Sequence, residues 1–282
     1  MAYIFGKITP HEKKAALFVG LFLAIFIGLF YLVNLDLDPV RKTGFSEPMA
    51  SPSSDQEIAQ RLGSTTFSVE SYAGWAQRYG LANAERGLDA DPDKEGLPNY
   101  LEYVHGTNPL KADTDEDNFT DKQEIANGYD PDAPGDAKPS VEITIAKIDV
   151  VAPMVWSNNE LEKDMLADLE KGLSHFSKTA APGQNGNMIV SGHSSNYVWA
   201  KGDYNHIFKN LNDLEKGDFV TVKTSQKNGR IITYRYQITD KFITAPNDAE
   251  IFEGATNPVL TLSTCWPLGT TLKRVIIKAA LQ

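Results

Sequence analysis

A cysteine and an arginine near the carboxyl end have the types and the spacing that nucleophilic catalysis needs. Cys265 is the only cysteine in 282 residues, so no disulfide can form within the chain. It follows the β-branched, apolar run 258–264, and Arg274 opens a second such run that continues to residue 281. If the two runs pair antiparallel, the Cys265 thiol and the Arg274 guanidinium meet at one sheet edge. A thiolate beside a cation is an activated nucleophile.

A histidine is needed as the acid–base partner of that thiol, and the chain offers five. His193 comes after the apolar run 188–191 and Gly192, just past a predicted strand end, where a side chain can project into a cleft. For any single histidine, a surface or core role is the simpler interpretation. His193 becomes a catalytic candidate only in combination with Cys265 and Arg274.

The region that holds these residues, 137–282, is predicted to be a β domain. Turn-forming residues separate its short β-type runs. The predicted strands are 141–148, 150–155, 188–191, 219–224, 230–241, 259–264 and 274–281, with one helix at about 160–171. Many short strands at this spacing predict a barrel or a sandwich, and the domain is long enough to bury a core.

An acidic internal repeat precedes this domain. Residues 91–109 align with 113–131, and both copies carry oxygen-bearing side chains at loop positions 1, 3, 5, 9 and 12. This pattern wraps oxygens around a hard cation, with a backbone carbonyl at position 7 and a sharp turn at position 6, where Gly96 and Asn118 stand. The predicted ligands are Asp91, Asp93, Glu95, Leu97, Asn99 and Glu102 in the first loop, and Asp113, Asp115, Asp117, Phe119, Asp121 and Glu124 in the second.

The charge distribution agrees with a cation-binding segment. The formal net charge is −10, and residues 85–136 alone carry fifteen acids and four bases. The rest of the chain is close to neutral and lacks the basic patch of a nucleic-acid-binding protein. A solvated acidic linker is the alternative, but the matched register of two copies favours Ca²⁺ with a structural role in a stalk. The loops resemble EF-hand loops and, in their short repeat, the calcium-binding repeats of thrombospondin type 3.

The amino-terminal part is predicted to be a membrane anchor. Residues 15–33 carry no charge, and a helix of this length just spans a hydrocarbon core of roughly 30 Å. Lysines before the span and acids after it place residues 1–14 in the cytoplasm and the rest outside, as a single-pass plasma-membrane protein. A cleaved signal peptide is the alternative, although its apolar region is usually shorter. Residues 34–66 are predicted to be a flexible linker and 67–136 the calcium-binding module, with a short helix beginning near Phe67.

Segments of the β domain resemble the sortase family. The resemblance rests on Asn-Met-Ile-Val-Ser-Gly-His ending at His193, on Thr-Leu-Ser-Thr-Cys ending at Cys265, on Arg274, and on the stretches 179–186 and 208–218. It covers about residues 141–282. It implies a mainly β fold, a closed sortase-type β-barrel of about eight strands with short helices. Here a transmembrane helix and a small helical calcium-binding module would precede that barrel, and the module is not part of the common sortase plan.

The resemblance also implies a reaction. A sortase of this kind is a membrane-anchored cysteine transpeptidase that cleaves a carboxyl-terminal Leu-Pro-x-Thr-Gly-like sorting signal of a surface protein. It joins that protein to an amine acceptor, either a cell-wall peptide or a protein lysine. Cys265 would attack the threonine carbonyl to give a thioester, His193 would transfer the protons, and Arg274 would offset developing negative charge. Thr264 would help to position the substrate, and no catalytic cofactor is implied.

Two alternatives stay open at this point. A surface cysteine hydrolase would use Cys265, His193 and Arg274 in the same way but would release its products to water. A calcium-dependent, non-catalytic surface scaffold would keep the barrel without using the thiol. None of the three interpretations involves nucleic acid as a partner.

Overall fold

Eight strands close into a barrel in the part of the chain that the structure describes. This computed structural model describes residues 54–62, 70–157, 162–196 and 202–282. The strands are β1 (Ser140–Ile145), β2 (Val150–Trp156), β3 (Leu173–His175), β4 (Gly186–Ser191), β5 (Phe219–Ser225), β6 (Ile231–Thr244), β7 (Pro258–Trp266) and β8 (Lys273–Leu281). Their order around the barrel is β1-β2-β3-β4-β7-β8-β6-β5. The predicted mainly β class and the closed barrel of eight strands are confirmed.

Strand β7 lies between β4 and β8. It pairs with β4 in parallel and with β8 in antiparallel orientation. The carboxyl ends of β4 and β7 and the start of β8 therefore lie side by side at one end of the barrel. Because a closed sheet has no free edge, each of these strand ends is held by neighbours on both sides.

Alternating side chains along β7 and β8 separate the core from the outer face of the sheet. Leu260 and Leu262 of β7 and Val275 and Ile277 of β8 are buried in the hydrophobic core. Successive side chains of a strand point to opposite faces. Cys265, an odd number of positions from the two core leucines, therefore projects to the outer face.

Strands β1 and β3 depart most from the prediction, whereas the limits of the other strands differ by at most three residues from the predicted ones. The run 141–148 stops pairing at Ile145, because Ala146–Ile148 forms a 3-10 turn and Asp149 follows in the left-handed region at φ 53°. Strand β3 has no counterpart among the predicted strands. It has only three residues, all buried, and so short a run shows no period that a sequence pattern could reveal.

Short helices precede and interrupt the barrel. They are α1 (Ser54–Leu62), α2 (Tyr72–Arg78), α3 (Asn99–His105), α4 (Asp121–Asn127) and α5 (Glu162–Leu169). The helix expected to begin near Phe67 corresponds to α2, which begins later, at Tyr72, after the N-cap Ser71, and its Tyr72 and Trp75 are buried. Helix α5 lies within the predicted helical stretch 160–171.

Helix α1 corrects the prediction that all of residues 34–66 form a flexible linker. Ile58 of α1 is fully buried. The Asp55 carboxylate accepts hydrogen bonds from the Tyr72 backbone N–H at 2.8 Å and from the Tyr103 hydroxyl at 3.0 Å. These partners come later in the chain, so the local composition of the segment gave no indication of them.

The described part of the predicted calcium-binding module 67–136, called the acidic module from here on, packs against the barrel within one compact unit. The Gln226 side-chain amide donates to Nδ1 of His105 at 2.8 Å, and the Lys227 backbone N–H donates to the Asp130 carboxylate at 2.7 Å. Both contacts fall on the hairpin between β5 and β6. The strand registers put this hairpin at the barrel end where β7 begins, so the module docks away from Cys265 at the other end of β7.

The predicted tail 1–14, membrane span 15–33 and early linker 34–53 lie outside the described residues. Within the described ranges, none of the helices combines the length and the apolar character that crossing a bilayer requires. The membrane topology stays a prediction from the sequence.

Candidate functional site

Cys265 and Arg274 face each other across β7 and β8. They are Cα partners in the antiparallel register, as the sequence pattern predicts. Directly opposite residues of such a pair project to the same face, with Cβ atoms about 5 Å apart. Arg274 Nη1 donates to the backbone carbonyls of Thr271 at 3.2 Å and Lys273 at 3.1 Å. These contacts hold the guanidinium beside the start of β8, at the barrel end that also carries the thiol.

His193 follows β4 and lies at the same end of the barrel. In the parallel β4–β7 register Ser191 lies opposite Ser263, and the Gly192 N–H donates to the Ser263 carbonyl at 3.1 Å just beyond the end of β4. Two residues further along the two segments are His193 and Cys265. Continuing the register therefore places them level with each other and on the same face.

Glycine at position 192 allows the histidine loop to pack onto the core. A Cβ atom there would lie 2.5 Å from Cδ2 of Phe208 and 2.7 Å from Cδ2 of Leu173, well inside the optimal contact distance of about 3.5–4 Å. The Phe208 backbone N–H also donates to the His193 carbonyl at 2.9 Å. The same phenylalanine thus fills the space beneath Gly192 and fixes the backbone of His193.

Thr264 joins the nucleophile strand to the histidine loop. Its side chain is 3% exposed, and its hydroxyl donates to the Gly192 carbonyl at 2.7 Å. Because Thr264 precedes Cys265 within β7, its side chain points to the opposite face of the sheet. The contact with substrate that the sequence suggests for Thr264 stays a prediction.

A second hydrogen bond holds the loop that carries His193, and no sequence pattern predicts it. The Gly269 backbone N–H, in the loop between β7 and β8, donates to the Ser195 hydroxyl at 2.8 Å. Ser195 comes two residues after His193. Thr264 therefore ties strand β7 to the loop that carries His193, and Ser195 ties the β7–β8 loop to it.

The surroundings of His193 favour its neutral form. Burial lowers the pKa of His193 below its ordinary value near 6.5, because a desolvated imidazolium is disfavoured, and charge on His206 lowers it further. The Glu170 carboxylate acts in the opposite direction and raises this pKa. The strand registers place a thiol, an imidazole and a guanidinium at one barrel end, and these groups are suited to acyl transfer through a thioester.

The two acidic loops are built alike. The Asp91 carboxylate accepts the backbone N–H of Gly96 at 2.9 Å, and the Asp113 carboxylate accepts that of Asn118 at 2.8 Å. Gly96 and Asn118 have φ of 91° and 82°, so both adopt the left-handed backbone predicted for the sharp turn at position 6. The repeated spacing therefore corresponds to a repeated loop conformation.

Buried carboxylate oxygens without partners lie in these loops. Glu102 and Glu124 are 0% and 1% exposed, and Glu102 Oε2 and both Glu124 oxygens have no hydrogen-bond partner within the described residues. The other predicted ligands with a buried, unpartnered oxygen are Asp93, Glu95, Asn99 and Asp115. Leaving ionised oxygens buried and unpaired is costly, whereas a hard divalent cation would satisfy them. The residues present therefore fit Ca²⁺.

These oxygens converge in two groups. One group is Asp113, Asp115 and Asp117, and the other is Glu95, Glu102 and Asp121, with one oxygen from each residue lying within 4.8 Å of the others in its group. The position 7 residues differ in environment, since Leu97 is buried and Phe119 is 55% exposed. The group of Asp113, Asp115 and Asp117 follows the loop pattern, whereas the other group takes Glu95 and Glu102 from the first loop and Asp121 from the second.

Burial and mutual repulsion raise the pKa values of the buried ligands. The pKa of Glu102 rises to about 9, that of Glu124 to about 8 and that of Asp121 to about 6. In each case burial is the largest cause, and neighbouring carboxylates add to it. A divalent cation would take the place of the protons that Glu102 and Glu124 otherwise retain at neutral pH.

Comparisons with known proteins point to one family. Residues 143–282 match the family model described as Sortase domain. Sortase D of Bacillus subtilis (strain 168) is 29% identical over 167 residues, which are 57% of this chain and 71% of that protein. Among solved structures, a Clostridium perfringens Sortase D5 transpeptidase is 28% identical, with a TM-score of 0.41 over 51% of this chain and 79% of that chain. A sortase E mutant from Streptomyces avermitilis is 26% identical, with a TM-score of 0.38 over 51% of this chain and 88% of that chain.

Proposed function

Residues 143–282 belong to the sortase domain family, and from this premise we propose that the chain attaches surface proteins to an amine acceptor. The enzyme is a cysteine transpeptidase. Its proposed substrates carry a carboxyl-terminal sorting signal similar to Leu-Pro-x-Thr-Gly. The observation that carries this proposal is the placement of Cys265 opposite Arg274, with His193 at the same barrel end.

The first half-reaction forms a thioester on Cys265. The thiolate attacks the carbonyl carbon of the signal's threonine, so that a carbon–sulfur bond forms and the carbon–nitrogen bond to the next residue breaks. Protonated His193 gives its proton to the departing amine and becomes neutral. The surroundings that lower the pKa of His193 favour this donation, because they make the imidazolium a stronger acid.

The second half-reaction transfers the acyl group. An incoming amine attacks the thioester, the new carbon–nitrogen bond forms, and the carbon–sulfur bond breaks to return the Cys265 thiolate. Neutral His193 accepts the proton that the amine loses. The proposed acceptor is a cell-wall peptide or a lysine of another protein.

Arg274 offsets the charge that develops on the substrate carbonyl oxygen. Its Nη1 contacts two backbone carbonyls, and the guanidinium carries further N–H donors on Nε and Nη2 that can contact the substrate. A preoriented cation of this kind stabilises an oxyanion without reorganising during the reaction.

The acidic module is proposed to bind Ca²⁺ in a structural role. The buried, unpartnered oxygens of Glu102 and Glu124 support this proposal, because Ca²⁺ takes six to eight oxygen ligands. We expect calorimetric titration of the full chain to show saturable Ca²⁺ binding and a raised unfolding temperature. A variant with Glu102→Gln and Glu124→Gln serves as the control. Absence of binding to the unmodified chain at millimolar Ca²⁺ would show that the module is not a calcium site.

The proposed location is the outer face of the plasma membrane. Its support is the uncharged stretch 15–33 with lysines before it and acids after it. Protease treatment of intact cells tests this topology, since an externally placed barrel is degraded while the segment 1–14 is protected. Protection of the barrel in intact cells contradicts it.

Product analysis distinguishes the transpeptidase from a surface cysteine hydrolase. The full chain is incubated with a peptide that contains the sorting signal, with and without an oligoglycine amine, and the products are identified by mass spectrometry. We expect the amine adduct to replace the hydrolysis product as the amine concentration rises. Water-only products at every amine concentration would favour the hydrolase, and Cys265→Ala is the control that forms neither product.

A further inference from the structure

Asp121 belongs to the second acidic loop by sequence but lies with ligands of the first. Asp121, Glu95 and Glu102 each place a carboxylate oxygen within 4.8 Å of the other two. In the loop pattern Asp121 holds position 9 of residues 113–124, whereas Glu95 and Glu102 hold positions 5 and 12 of residues 91–102. The structure therefore groups these carboxylates across the two loops.

Hydrogen bonds within the second loop hold Asp121 in this place. The Thr114 backbone N–H donates to Asp121 Oδ1 at 2.8 Å, and the Thr114 hydroxyl donates to Oδ2 at 2.7 Å. A carboxylate offers about four lone-pair sites, so each oxygen can accept one of these bonds and still bind a cation. Thr114 thus fixes the Asp121 carboxylate without exhausting its capacity as a ligand.

A side chain of the first loop also contacts the backbone of helix α4. Glu95 Oε2 accepts the backbone N–H of Lys122 at 3.1 Å, and its Oε1 is buried without a partner in the described part of the chain. Asp121 and Lys122 are the first two residues of α4. The start of α4 is therefore bound to the first loop by its backbone and by its first side chain.

A buried carboxylate oxygen of Glu102 without a hydrogen-bond partner among the described residues indicates a cation site in this group. The side chains of Glu102 and Asp121 are both 0% exposed. Glu102 Oε1 accepts the Thr107 hydroxyl at 2.8 Å, whereas Oε2 has no partner in the described residues. Buried carboxylates this close repel one another, and a cation with oxygen ligands converts the repulsion into attraction.

The second loop retains an oxygen set of its own without Asp121. Its Asp113, Asp115 and Asp117 form the other convergent group. Glu124, 1% exposed and unpartnered at both oxygens, follows at position 12, where a carboxylate can bind a cation bidentately. Both loops therefore keep a set of ligands when Asp121 is assigned to the ion of the first loop.

We propose that the acidic module is one coupled two-ion centre, in which Asp121 of the second loop is a ligand of the Ca²⁺ in the first. This inference rests on the calcium binding proposed above and extends it, since the first site is complete only when the second loop is folded. An ion in the second loop orders the start of α4 and so places Asp121. The two ions therefore bind with positive cooperativity, and the coupling is reciprocal.

A double variant of the full chain isolates the role of Asp121. Glu124→Gln weakens the second site and leaves the ion of the first loop to be measured by calorimetric Ca²⁺ titration. Adding Asp121→Asn is expected to weaken this remaining ion by roughly tenfold or more, as loss of a carboxylate ligand should. Asp115→Asn in the same Glu124→Gln background is the matched control, and it lowers the affinity of the remaining ion less than Asp121→Asn does, because Asp115 acts on that ion only through the coupling.

Terbium luminescence provides a second readout in the same variants. Lifetimes of bound Tb³⁺ in H₂O and D₂O count the coordinated waters. Asp121→Ala in the Glu124→Gln background removes both carboxylate oxygens, whereas an asparagine would keep one amide oxygen as a ligand, so Asp121→Ala is expected to admit about one more water to the first-loop ion. A purely structural effect of Asp121→Ala would alter the circular dichroism without adding that water. Unchanged affinity and hydration would overturn the assignment of Asp121 to the first-loop ion but not calcium binding itself. Absence of Ca²⁺ binding in the unmodified chain would overturn both this assignment and calcium binding, and it would not affect the transpeptidase proposal.

Discussion

Cys265 and Arg274 are direct Cα partners in β7 and β8, so backbone pairing, and not a flexible loop, sets the distance between the nucleophile and the cation. His193 lies on a loop, but this loop is tied to β7 by the hydrogen bond from Thr264 to Gly192. A site built on paired strands holds its geometry more precisely than one built on loops.

Replacing Arg274 by lysine keeps the charge but removes the planar guanidinium. We expect kcat to fall by about a hundredfold with little change in KM, because one preoriented donor to the oxyanion is lost. Steady-state kinetics with a sorting-signal peptide measure the effect, and Lys273→Gln on the neighbouring residue is the control. A variant with full kcat would show that Arg274 does not stabilise the reacting carbonyl.

Gly192→Ala should damage both stability and catalysis. The added Cβ would meet the Phe208 and Leu173 side chains, so we expect a loss of about 1–3 kcal/mol in the free energy of unfolding. The loop must also shift, which moves His193 and lowers kcat. Gly254→Ala is the matched control, since a Cβ there meets nothing within 4 Å. Unchanged kcat in Gly192→Ala would mean that the loop position does not set the histidine.

Charge near His193 should move the pH profile of the enzyme. His206→Gln removes a charge that lowers the pKa of His193, so this pKa rises towards its ordinary value. Because the first half-reaction needs protonated His193, activity is lost as pH rises through that pKa. The alkaline limb of kcat/KM should therefore move to higher pH in His206→Gln and to lower pH in Glu170→Gln. Shifts in the same direction for both variants would contradict this assignment.

His105 should make the docking of the acidic module sensitive to pH. Burial and the Arg230 guanidinium lower the pKa of His105 to about 4, and Nδ1 accepts the Gln226 amide N–H. The unfolded chain, with an ordinary pKa of about 6.5, binds a proton that the folded chain does not. This contribution to stability is complete above about pH 6.5 and is lost as pH falls towards 4.

Chemical denaturation between pH 7 and pH 5, at saturating Ca²⁺, tests the role of His105. We expect the free energy of unfolding to fall with pH less steeply in His105→Gln than in the unmodified chain, because glutamine does not titrate. His206→Gln is the control, since His206 lies outside the docking contacts. An identical slope in His105→Gln would show that the docking contact does not depend on the protonation of His105.

The local chemistry of the catalytic end could be predicted from the sequence. The apolar runs on either side of a turn predict the β7–β8 pair that brings Cys265 to Arg274. The run that ends in Gly192 predicts the position of His193 after a strand. Both inferences use patterns within a few residues, where period and turn chemistry are informative.

Contacts between distant segments could not be predicted in the same way. The docking of His105 on Gln226 and the burial of Ile58 in α1 join segments far apart in the chain, and no local pattern encodes them. Asp121 shows the same limit within the repeat. Aligning the two copies assigns each ligand to its own loop, whereas the folded loops face each other and place Asp121 beside Glu102.

The role of Cys265 as the nucleophile is tested most directly by a search for the thioester on its side chain. The full chain is mixed with a sorting-signal peptide without an amine, quenched in acid, digested and examined by mass spectrometry. We expect that the fragment with Cys265 gains the mass of the acyl part of the peptide, that hydroxylamine removes this mass, and that Cys265→Ala shows neither the adduct nor product. Product formation by Cys265→Ala, or turnover with the acyl group on another residue, would show that Cys265 is not the nucleophile.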